Sequence, residues 1–296
     1  MKAPTSHRLA LSLPPRALAV RLFLAAMVCA ALAGCAPGRI QPGHLRLLLM
    51  DIGEADCMLI QTHDANWLID SGEQSSAPAI RRRLRERGVR SLDLAVLTHP
   101  HSDHMGGIRE IGRSIPVRQI LDSGFPLGSG VQRRLTDWIR RDGIPYRRAR
   151  AGQIVRLGSE VTIEVLWPPD QYLRGTESDA NNNSVVLRIK HGNARILIAG
   201  DLQSDGEARL LASGADLTAQ VLKVAHQGSS DSTSGEFLQR VRPSLALIAT
   251  GRRNSYGHPA PETLERLEQA GARVCRTDRD GDLTIESDGS RVSLLR

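Results

Sequence analysis

Short apolar runs alternate with longer amphipathic segments along the chain. The short runs have the length of buried strands and are bounded by turn residues. The longer segments carry apolar residues three and four positions apart, as in a helix with one buried face. The predicted strands are HLRLLLMDI, CMLIQT, NWLID, LDLAVLT, VRQILD, VTIEVLW, SVVLRIKH, ARILIAG, QVLKVA, SLALIAT, ARVCRT, DLTIES and RVSLLR. The predicted helices are APAIRRRLRERG, MGGIREIG, GVQRRLTDWIRRDG, DGEARLLASG, SGEFLQRVRP and APETLERLEQAG.

The order of these elements predicts an α/β fold. Each half of the chain opens with strands and continues with strands and helices in alternation. Two sheets, each covered by helices on its outer face, fit this order. No linker rich in Gly, Ser or Pro divides the chain, so we expect residues 44–296 to form one domain.

The first 35 residues have the pattern of an export signal. Four basic residues precede the uncharged run LFLAAMVCAALAGC, which is too short to span a bilayer. The end of this run, LAGC, resembles a bacterial lipobox, which implies cleavage before Cys35 and a lipid on its thiol; an uncleaved anchor is the alternative. Residues 36–43 then form a tether. Ala36 is not the aspartate of an inner-membrane retention signal, so we expect an exported lipoprotein on the periplasmic side of the outer membrane, with the inner membrane as the alternative.

Net charge gives weak evidence for a nucleic-acid partner. The whole chain carries +7, but residues 1–35 hold four basic and no acidic residues. The remainder has 35 basic against 32 acidic residues, a balance of +3. Arginines at 81–85, 140–141 and 147–150 could follow phosphates, although solvated helix faces are the favoured interpretation. Nine aromatic residues in the chain argue against a base-stacking platform.

Two cysteines lie beyond the export signal, Cys57 and Cys275. Export would allow them to form a disulfide. Both lie in apolar, strand-like contexts, which fit two buried thiols equally well.

The stretch LTHPHSDHMGG holds three histidines and one aspartate within six residues, directly after a predicted strand. In an extended segment residues two apart point the same way, so His99 and His101 can bind one ion. Asp103 and His104 lie where the chain should turn into a helix, and they can face a second ion. Without a cation, three imidazoles and a carboxylate this close together would have no favourable interaction to hold them there. The spacing therefore predicts a metal site for zinc, manganese or iron.

Further ligands must come from distant loops, because one ion needs three or four protein ligands. Asp201 follows the predicted strand ARILIAG, and His226 follows QVLKVA. Metal-type residues at three strand ends are a stronger signal than any one of them.

The spacing His99-x-His101-x-Asp103-His104 resembles the signature of the metallo-β-lactamase superfamily. The segments MDIGEADCMLI, LIDSG, NNNSVVLRI, IAGD and LKVAHQGSSDSTS are similar to the C-terminal hydrolase domain of the competence protein ComEC, and choline-phosphate esterases look similar. The resemblance implies a four-layer αββα sandwich with two divalent ions, Zn or Mn, at one edge. It implies these roles: His99 and His101 on metal 1, Asp103, His104 and His226 on metal 2, Asp201 between them, and Asp70 as a structural aspartate beneath.

The sequence departs from the family pattern in three places. Asn181–Asn183 stand where most members have a further metal-1 histidine; we favour Asn182 as the ligand, and a simple turn is the alternative. An amide oxygen is a harder ligand than imidazole, which favours manganese. Glu54 and Ala55 replace the usual Gln and Gly, and Gln227 replaces a common second histidine.

The resemblance implies a metal-dependent hydrolase, and most of all a phosphodiesterase or nuclease. The substrate would be a phosphoester, with DNA the obvious candidate, attacked by a metal-activated hydroxide. Lactam or lactone hydrolysis on the same fold, and non-catalytic DNA uptake or binding by a lipid-anchored protein, are the alternatives. The expected roles of single residues are nucleophile orientation by Asp103, proton donation or phosphate contact by His258 (or a plain loop residue), a substrate oxygen held by Ser184 or Ser229, and surface positions for His63 and His191.

Overall fold

A computed structural model describes residues 40–295 of the chain. The predicted export signal with Cys35, and most of the predicted tether, lie outside the described residues. In the part that is described, no helix is both long and apolar enough to cross a membrane.

The described chain forms two mixed sheets. The first has eight strands in the order β15-β14-β1-β2-β3-β4-β5-β6, and the second has seven in the order β13-β12-β11-β10-β9-β8-β7. The first sheet contains β1 (Leu45–Leu49), β2 (Met58–Gln61), β3 (Asn66–Ile69), β4 (Leu94–Leu97), β5 (Ile120–Asp122), β6 (Tyr146–Arg148), β14 (Leu283–Ser287) and β15 (Val292–Leu295). The second contains β7 (Ile154–Leu157), β8 (Val161–Trp167), β9 (Val186–His191), β10 (Ala194–Ile198), β11 (Val221–Lys223), β12 (Leu245–Ile248) and β13 (Arg273–Arg276).

Helices cover the outer face of each sheet. In chain order they are α1 (Ala77–Glu86), α2 (Ser102–Met105), α3 (Ile108–Gly112), α4 (Gly130–Asp142), α5 (Asp179–Asn182), α6 (Ser204–Ala212), α7 (Gly235–Val241), α8 (Pro261–Gln269) and α9 (Thr277–Asp280). Short 3-10 turns lie at Gln74–Ser76 and Ala225–Gly228. Apolar side chains of α1 to α4 pack on the first sheet, and those of α6 to α8 pack on the second.

The alternation within each strand divides the core into three layers. In β1, Leu47 and Leu49 face the second sheet, whereas Leu48 faces the helices. Each layer contains one buried tryptophan: Trp67 lies between the sheets, and Trp138 and Trp167 lie under the two helical layers. The observed order of layers is therefore α, β, β, α, which confirms the predicted sandwich.

Parallel pairing places several loops at one rim. Strands β3 to β6 run parallel in the first sheet, and β10 to β13 run parallel in the second. The carboxyl ends of parallel strands share an edge, and in open α/β sheets this edge is where ligands bind. The loops after β3, β4, β10, β11 and β12 hold all the predicted metal and substrate residues except Asn182 and Ser184.

The C-terminal hairpin completes the first sheet rather than the second. Strand β14 pairs antiparallel with β1, so that Leu47 lies opposite Ile285. Just before β14, the carboxylate of Asp282 accepts hydrogen bonds from the Asp51 amide at 2.8 Å and from the Arg83 guanidinium at 2.9 Å. The last strands therefore fix the loop that follows the first one.

Two sequence expectations need correction or completion. His191 is not a surface residue: it is 4% exposed, and its Nδ1 lies 3.0 Å from the Ser287 hydroxyl, because β9 extends to the end of the hairpin beside β14. Cys57 and Cys275 form no disulfide with each other. They lie in different layers, Cys57 under the helices and Cys275 between the sheets, and burial raises the pKa of the Cys57 thiol.

Candidate metal centre

The chain turns sharply after β4, and this turn presents the histidine cluster. His101 keeps an extended conformation and precedes α2, whose first turn carries Asp103 and His104. His99 is fully buried, and its Nε2 lies 3.0 Å from Nδ1 of His101. The predicted change from strand to helix is therefore where the sequence placed it, and it directs four ligand-type side chains to one rim.

Asp70 fixes the orientation of His104 from below. One Asp70 oxygen accepts hydrogen bonds from Nδ1 of His104 and from the hydroxyl of Thr98, both at 2.8 Å. The other accepts the Thr98 amide at 2.8 Å. The bond from Nδ1 of His104 to Asp70 fixes the proton on that nitrogen, so Nε2 of His104 faces the cluster, as expected of an oriented metal ligand.

Asp201 enters the cluster from the second sheet, three residues after β10. Gly200 precedes it with a left-handed φ of +54°, and a Cβ there would lie 2.9 Å from Cβ of Ser184 and 3.2 Å from that of Thr98. Only glycine allows this close passage. The Asp201 amide donates to the Ser184 hydroxyl at 3.2 Å, which holds the carboxylate at the rim.

His226 lies after β11 in a turn that non-glycine residues rarely adopt. Both His226 and Gln227 are left-handed, with φ of 47° and 53°. Such strain costs about 1–3 kcal/mol per residue and is found most often at functional sites. Nδ1 of His226 lies 3.5 Å from the Asp231 carboxylate, so Nε2 faces Asp201.

One oxygen of Asp201 lies at the centre of the assembled side chains. Its Oδ2 is 3.2 Å from Nε2 of His104, 3.7 Å from Nε2 of His99 and 3.9 Å from Nε2 of His226. Asp103 Oδ2 is 3.4 Å from the same His104 nitrogen. Ligand atoms of His99, His104 and Asp201 all lie within 4.8 Å of one another, as a metal site requires.

The electrostatics of the cluster favour a cation. Burial disfavours a charged His104, yet the carboxylates of Asp201, Asp103 and Asp70 outweigh this and raise its pKa well above the usual value. Burial also opposes ionisation of Asp103, but His104 more than offsets it and lowers the pKa of Asp103 to about 2. Nε2 of His104 and Oδ1 of Asp201 are buried and make no hydrogen bond. Buried polar atoms without partners are costly, and a bound cation would supply the missing partner.

The structure corrects the choice of asparagine. Asn182 is 1% exposed; its side-chain oxygen accepts the Gly206 amide at 2.8 Å, and its amide donates to Thr176 at 3.1 Å. These bonds occupy the side chain, so Asn182 does not face the cluster. Asn181 lines the cleft instead, and its buried side-chain oxygen has no hydrogen-bond partner.

Neither serine proposed for substrate contact lines the cleft. Ser184 is fully buried, and its hydroxyl accepts the Asp201 amide. Ser229 is 7% exposed; its amide donates to the His226 carbonyl at 2.9 Å, and its carbonyl accepts the Thr263 hydroxyl at 2.8 Å. In the structure both serines bond within the protein, and neither faces the cleft.

His258 does reach the cleft. It is half-buried, and its ring centroid lies 5.5 Å from that of His226. The Asn254 side chain accepts the His258 amide at 3.2 Å and the Tyr256 amide at 2.8 Å, which shapes the loop that carries both rings.

A cleft of about 670 Å³ opens above the cluster. It is lined by Ile52, Glu54, Ala55, Glu73, Ser75, Ser76, His101, Ser102, Asp103, Asn181, Asp201, His226, Gln227, Tyr256 and His258. Four of these are carboxylates, and no Lys or Arg is among the described residues that line it. The predicted arginine groups lie elsewhere: Arg83, for example, pairs with Asp282, and Arg150 with Asp170.

Sequence reasoning missed several residues that support the site. Asp231, five positions after His226, could have been found because metal-ligating histidines need a partner for their second nitrogen. Lys223 and Asp56 form a buried ion pair beneath the centre, each 1% exposed, and no pattern in the sequence signals that they meet. The Asp56 amide also donates to the Asp103 carbonyl at 3.2 Å, so the pair supports the ligand loop.

Several proteins are similar in sequence to this chain. Competence protein ComA of Neisseria gonorrhoeae is 31% identical over 275 residues, which cover 92% of this chain and 36% of that protein. ComE operon protein 3 of Bacillus subtilis is 28% identical over 256 residues, which cover 79% of this chain and 32% of that protein. The chain thus spans about a third of the length of these relatives.

Solved structures share the fold. The metallo-beta-lactamase fold protein YhfI of Bacillus subtilis aligns with a TM-score of 0.57 at 12% identity, covering 82% of this chain and all of that one. CmlA, a diiron beta-hydroxylase from Streptomyces venezuelae, aligns with a TM-score of 0.54 at 14% identity, covering 84% of this chain and 54% of that one. The resemblance seen in the sequence is confirmed: residues 50–252 match the family, and the chain belongs to the metallo-beta-lactamase superfamily.

Proposed function

We propose that this protein is a metal-dependent phosphodiesterase, a nuclease acting on DNA or another phosphoester outside the cytoplasm. The observation that carries the proposal is the convergence of the histidine cluster with Asp201 and His226 in a cleft lined by carboxylates and without Lys or Arg. Such a cleft cannot attract an anionic phosphoester by itself. Two divalent cations would reverse its charge.

The side chains present fit two such ions. His99, His101 and Asn181 would hold the first, and Asp103, His104 and His226 the second, with Asp201 shared. Bound divalent cations supply Lewis acidity and a hydroxide near neutral pH. The Asn181 oxygen in place of an imidazole favours a harder ion, so we propose manganese before zinc.

The protein's own side chains would orient the ligands and the attacking water, and would protonate the leaving oxygen. Asp70 bonds Nδ1 of His104, and the Asp231 carboxylate lies 3.5 Å from Nδ1 of His226, so each imidazole has a carboxylate beside its second nitrogen. Asp103 is ionised at neutral pH, with a pKa of about 2, and can orient the attacking water. His258 lines the cleft beside His226 and can donate a proton to the leaving oxygen.

The relatives support a nucleic-acid substrate rather than a lactam. One of them is named Competence protein ComA, a second is named ComE operon protein 3, and a third, from Haemophilus influenzae, is named Recombination protein 2. The proposal extends the theme of these names to this chain, and it includes anchoring through lipidated Cys35.

Hydrolysis of three substrates tests the proposal. Bis-p-nitrophenyl phosphate, single-stranded DNA and nitrocefin are each incubated with the purified protein and added Mn²⁺ or Zn²⁺. We expect metal-dependent turnover of the two phosphodiesters. Asp103→Ala should reduce it by more than about 100-fold, since even outer partners of metal ligands contribute 10- to 100-fold.

His63→Ala is the matched control, because His63 is an exposed turn residue away from the cleft. It should keep wild-type turnover and metal content. Turnover of nitrocefin alone would refute the phosphodiesterase. DNA binding without metal-dependent turnover of any substrate would instead support a non-catalytic binding protein.

A further inference from the structure

The rim of the cleft carries one aromatic ring whose position is unusual. Tyr256 is 74% exposed, the highest exposure among the large hydrophobic residues that the structure exposes. An exposed ring contributes little to the core, since burial is what makes an aromatic side chain stabilising. Yet Tyr256 lines the cleft together with the metal-type residues.

The loop holds Tyr256 firmly in spite of its exposure. Its amide donates to the Asn254 side chain at 2.8 Å. The preceding residue, Ser255, donates from its amide and its hydroxyl to the carboxylate of Glu54, which also lines the cleft. The ring also stacks on His258, with centroids 6.0 Å apart and planes inclined by 18°. One face of Tyr256 is therefore supported, and the ring is kept open to solvent.

Two ring-to-ring steps connect Tyr256 to the metal centre. His226 lies 5.5 Å from His258, and His258 lies 6.0 Å from Tyr256. A phosphate at the centre would thus place the adjoining nucleoside beside the tyrosine. With no Lys or Arg among the described residues of the cleft lining, flanking phosphates find no cationic partner there. Within the cleft, recognition beyond the scissile phosphate can therefore draw on the uncharged part of the substrate.

We propose that Tyr256 stacks on the nucleobase next to the scissile phosphate and so makes the enzyme selective for nucleotides among phosphodiesters. The inference rests on the proposed phosphodiesterase function and adds the feature of the substrate that is recognised. Every base offers a π-face, so such stacking tolerates any sequence. The nine aromatics of the chain argued against a stacking platform, but a single supported ring at this position is sufficient for one base.

The test compares two oligomers that differ only in their bases. Oligothymidylate and an abasic oligomer of the same length, with the same phosphates, are hydrolysed with added Mn²⁺ by wild type, Tyr256→Leu and Tyr256→Phe. Wild type should prefer oligothymidylate in kcat/KM. Tyr256→Leu should reduce this preference by about 5- to 150-fold, the range that loss of one base–aromatic stack produces. Tyr256→Phe, which keeps the ring, should retain the preference.

Tyr146→Leu is the control, because Tyr146 is also an exposed tyrosine, 43% exposed, but does not line this cleft. It should keep the preference. An equal loss on both oligomers in Tyr256→Leu would overturn the proposal, since it would mean only that the His258 loop is disturbed. An unchanged preference would overturn it as well. p-Nitrophenylphosphorylcholine is assayed as a third substrate. If Tyr256→Leu loses turnover of this compound alone, the ring recognises a quaternary ammonium group instead.

The two proposals fail separately. If wild type hydrolyses neither oligomer nor bis-p-nitrophenyl phosphate, the phosphodiesterase function is wrong, and stacking is then measured by fluorescence anisotropy of the labelled oligomers. Tighter binding of oligothymidylate than of the abasic oligomer, lost in Tyr256→Leu, would still support stacking. Equal binding of both would refute it.

Discussion

The buried ion pair of Lys223 and Asp56 allows a quantitative test of how the two sheets hold the metal centre. Lys223 ends β11 in the second sheet, and Asp56 lies in the loop between β1 and β2 of the first. Both side chains are 1% exposed. We consider Lys223→Met, which keeps the length of the side chain but removes its charge, together with Asp56→Asn and the double variant.

The structure sets the expected magnitude. Burial disfavours the Lys223 ammonium, but Asp56, followed by Asp201 and Asp70, outweighs this and raises the pKa of Lys223. A raised pKa means that the stabilisation is complete below the unfolded value, about 10.4, and is lost only above it. At pH 7 the Lys223 ammonium is therefore charged, whereas burial raises the pKa of its partner Asp56 in spite of the opposing effect of Lys223. Removal of one partner leaves the other buried without compensation and should cost about 3–5 kcal/mol.

Urea unfolding at pH 7, followed by tryptophan fluorescence, measures this cost. The three buried tryptophans report on the three core layers, so one coincident transition would show that the variants unfold cooperatively. Each single variant should lose about 3–5 kcal/mol, or about 6–20 °C in Tm. The double variant should lose clearly less than the sum, because neither charge is left alone. A loss below about 1 kcal/mol in Lys223→Met, or strict additivity in the double variant, would refute the reasoning.

Three further outcomes are expected. Asn181→Ala should lower the metal content measured by mass spectrometry and leave stability nearly unchanged. Asn182→Ala should instead cost about 1–3 kcal/mol in urea unfolding, because it leaves the buried backbone amide of Gly206 unpaired. The reverse pattern would restore Asn182 as the ligand. Asp231→Asn should weaken metal binding by about 10- to 100-fold. His226 lowers the pKa of Asp231 to about 2, so the pair stabilises the fold above about pH 4, and this stabilisation is lost as the pH falls towards 2. The difference in unfolding free energy between wild type and Asp231→Asn should therefore shrink over that range. A constant difference would contradict this. Cys35→Ser should move the protein from the membrane fraction to the soluble fraction, and continued membrane association would exclude the lipid anchor.

The hydrophobic pattern predicted most of the fold because most strands are buried on both faces. The apolar runs of β4, β9, β10 and β12 are typical of buried strands. Helix α4 begins at Gly130 as predicted, and the left-handed Gly143 ends it. Strands β6 and β7 escaped notice because they are edge strands with exposed, arginine-containing sequences. Their pairing depends on neighbours far along the chain, which periodicity does not record.

The ligand-type side chains were predictable where the chemistry itself is unusual, and unpredictable where local hydrogen bonds decide. Three histidines and an aspartate within residues 99–104 are best explained by a bound cation. By contrast, Asn181 and Asn182 have the same side chain, and only the backbone amide of Gly206 removes one of them from the cleft. Ser184 faces inward for a similar reason, since it accepts the amide of Asp201.

The pairing of the first strand with one of the last has a consequence for biosynthesis. The side chains of Arg46 and Glu286 meet across 240 positions of sequence. Contacts of such long range slow folding, because a long loop must close before they form. A nascent chain that has not yet emerged as far as Asp282 lacks the anchor of the loop bordering the cleft. The cleft should therefore take its final form only after the segment that contains Asp282 has been synthesised, and ribosome-bound fragments that stop before this segment should be inert.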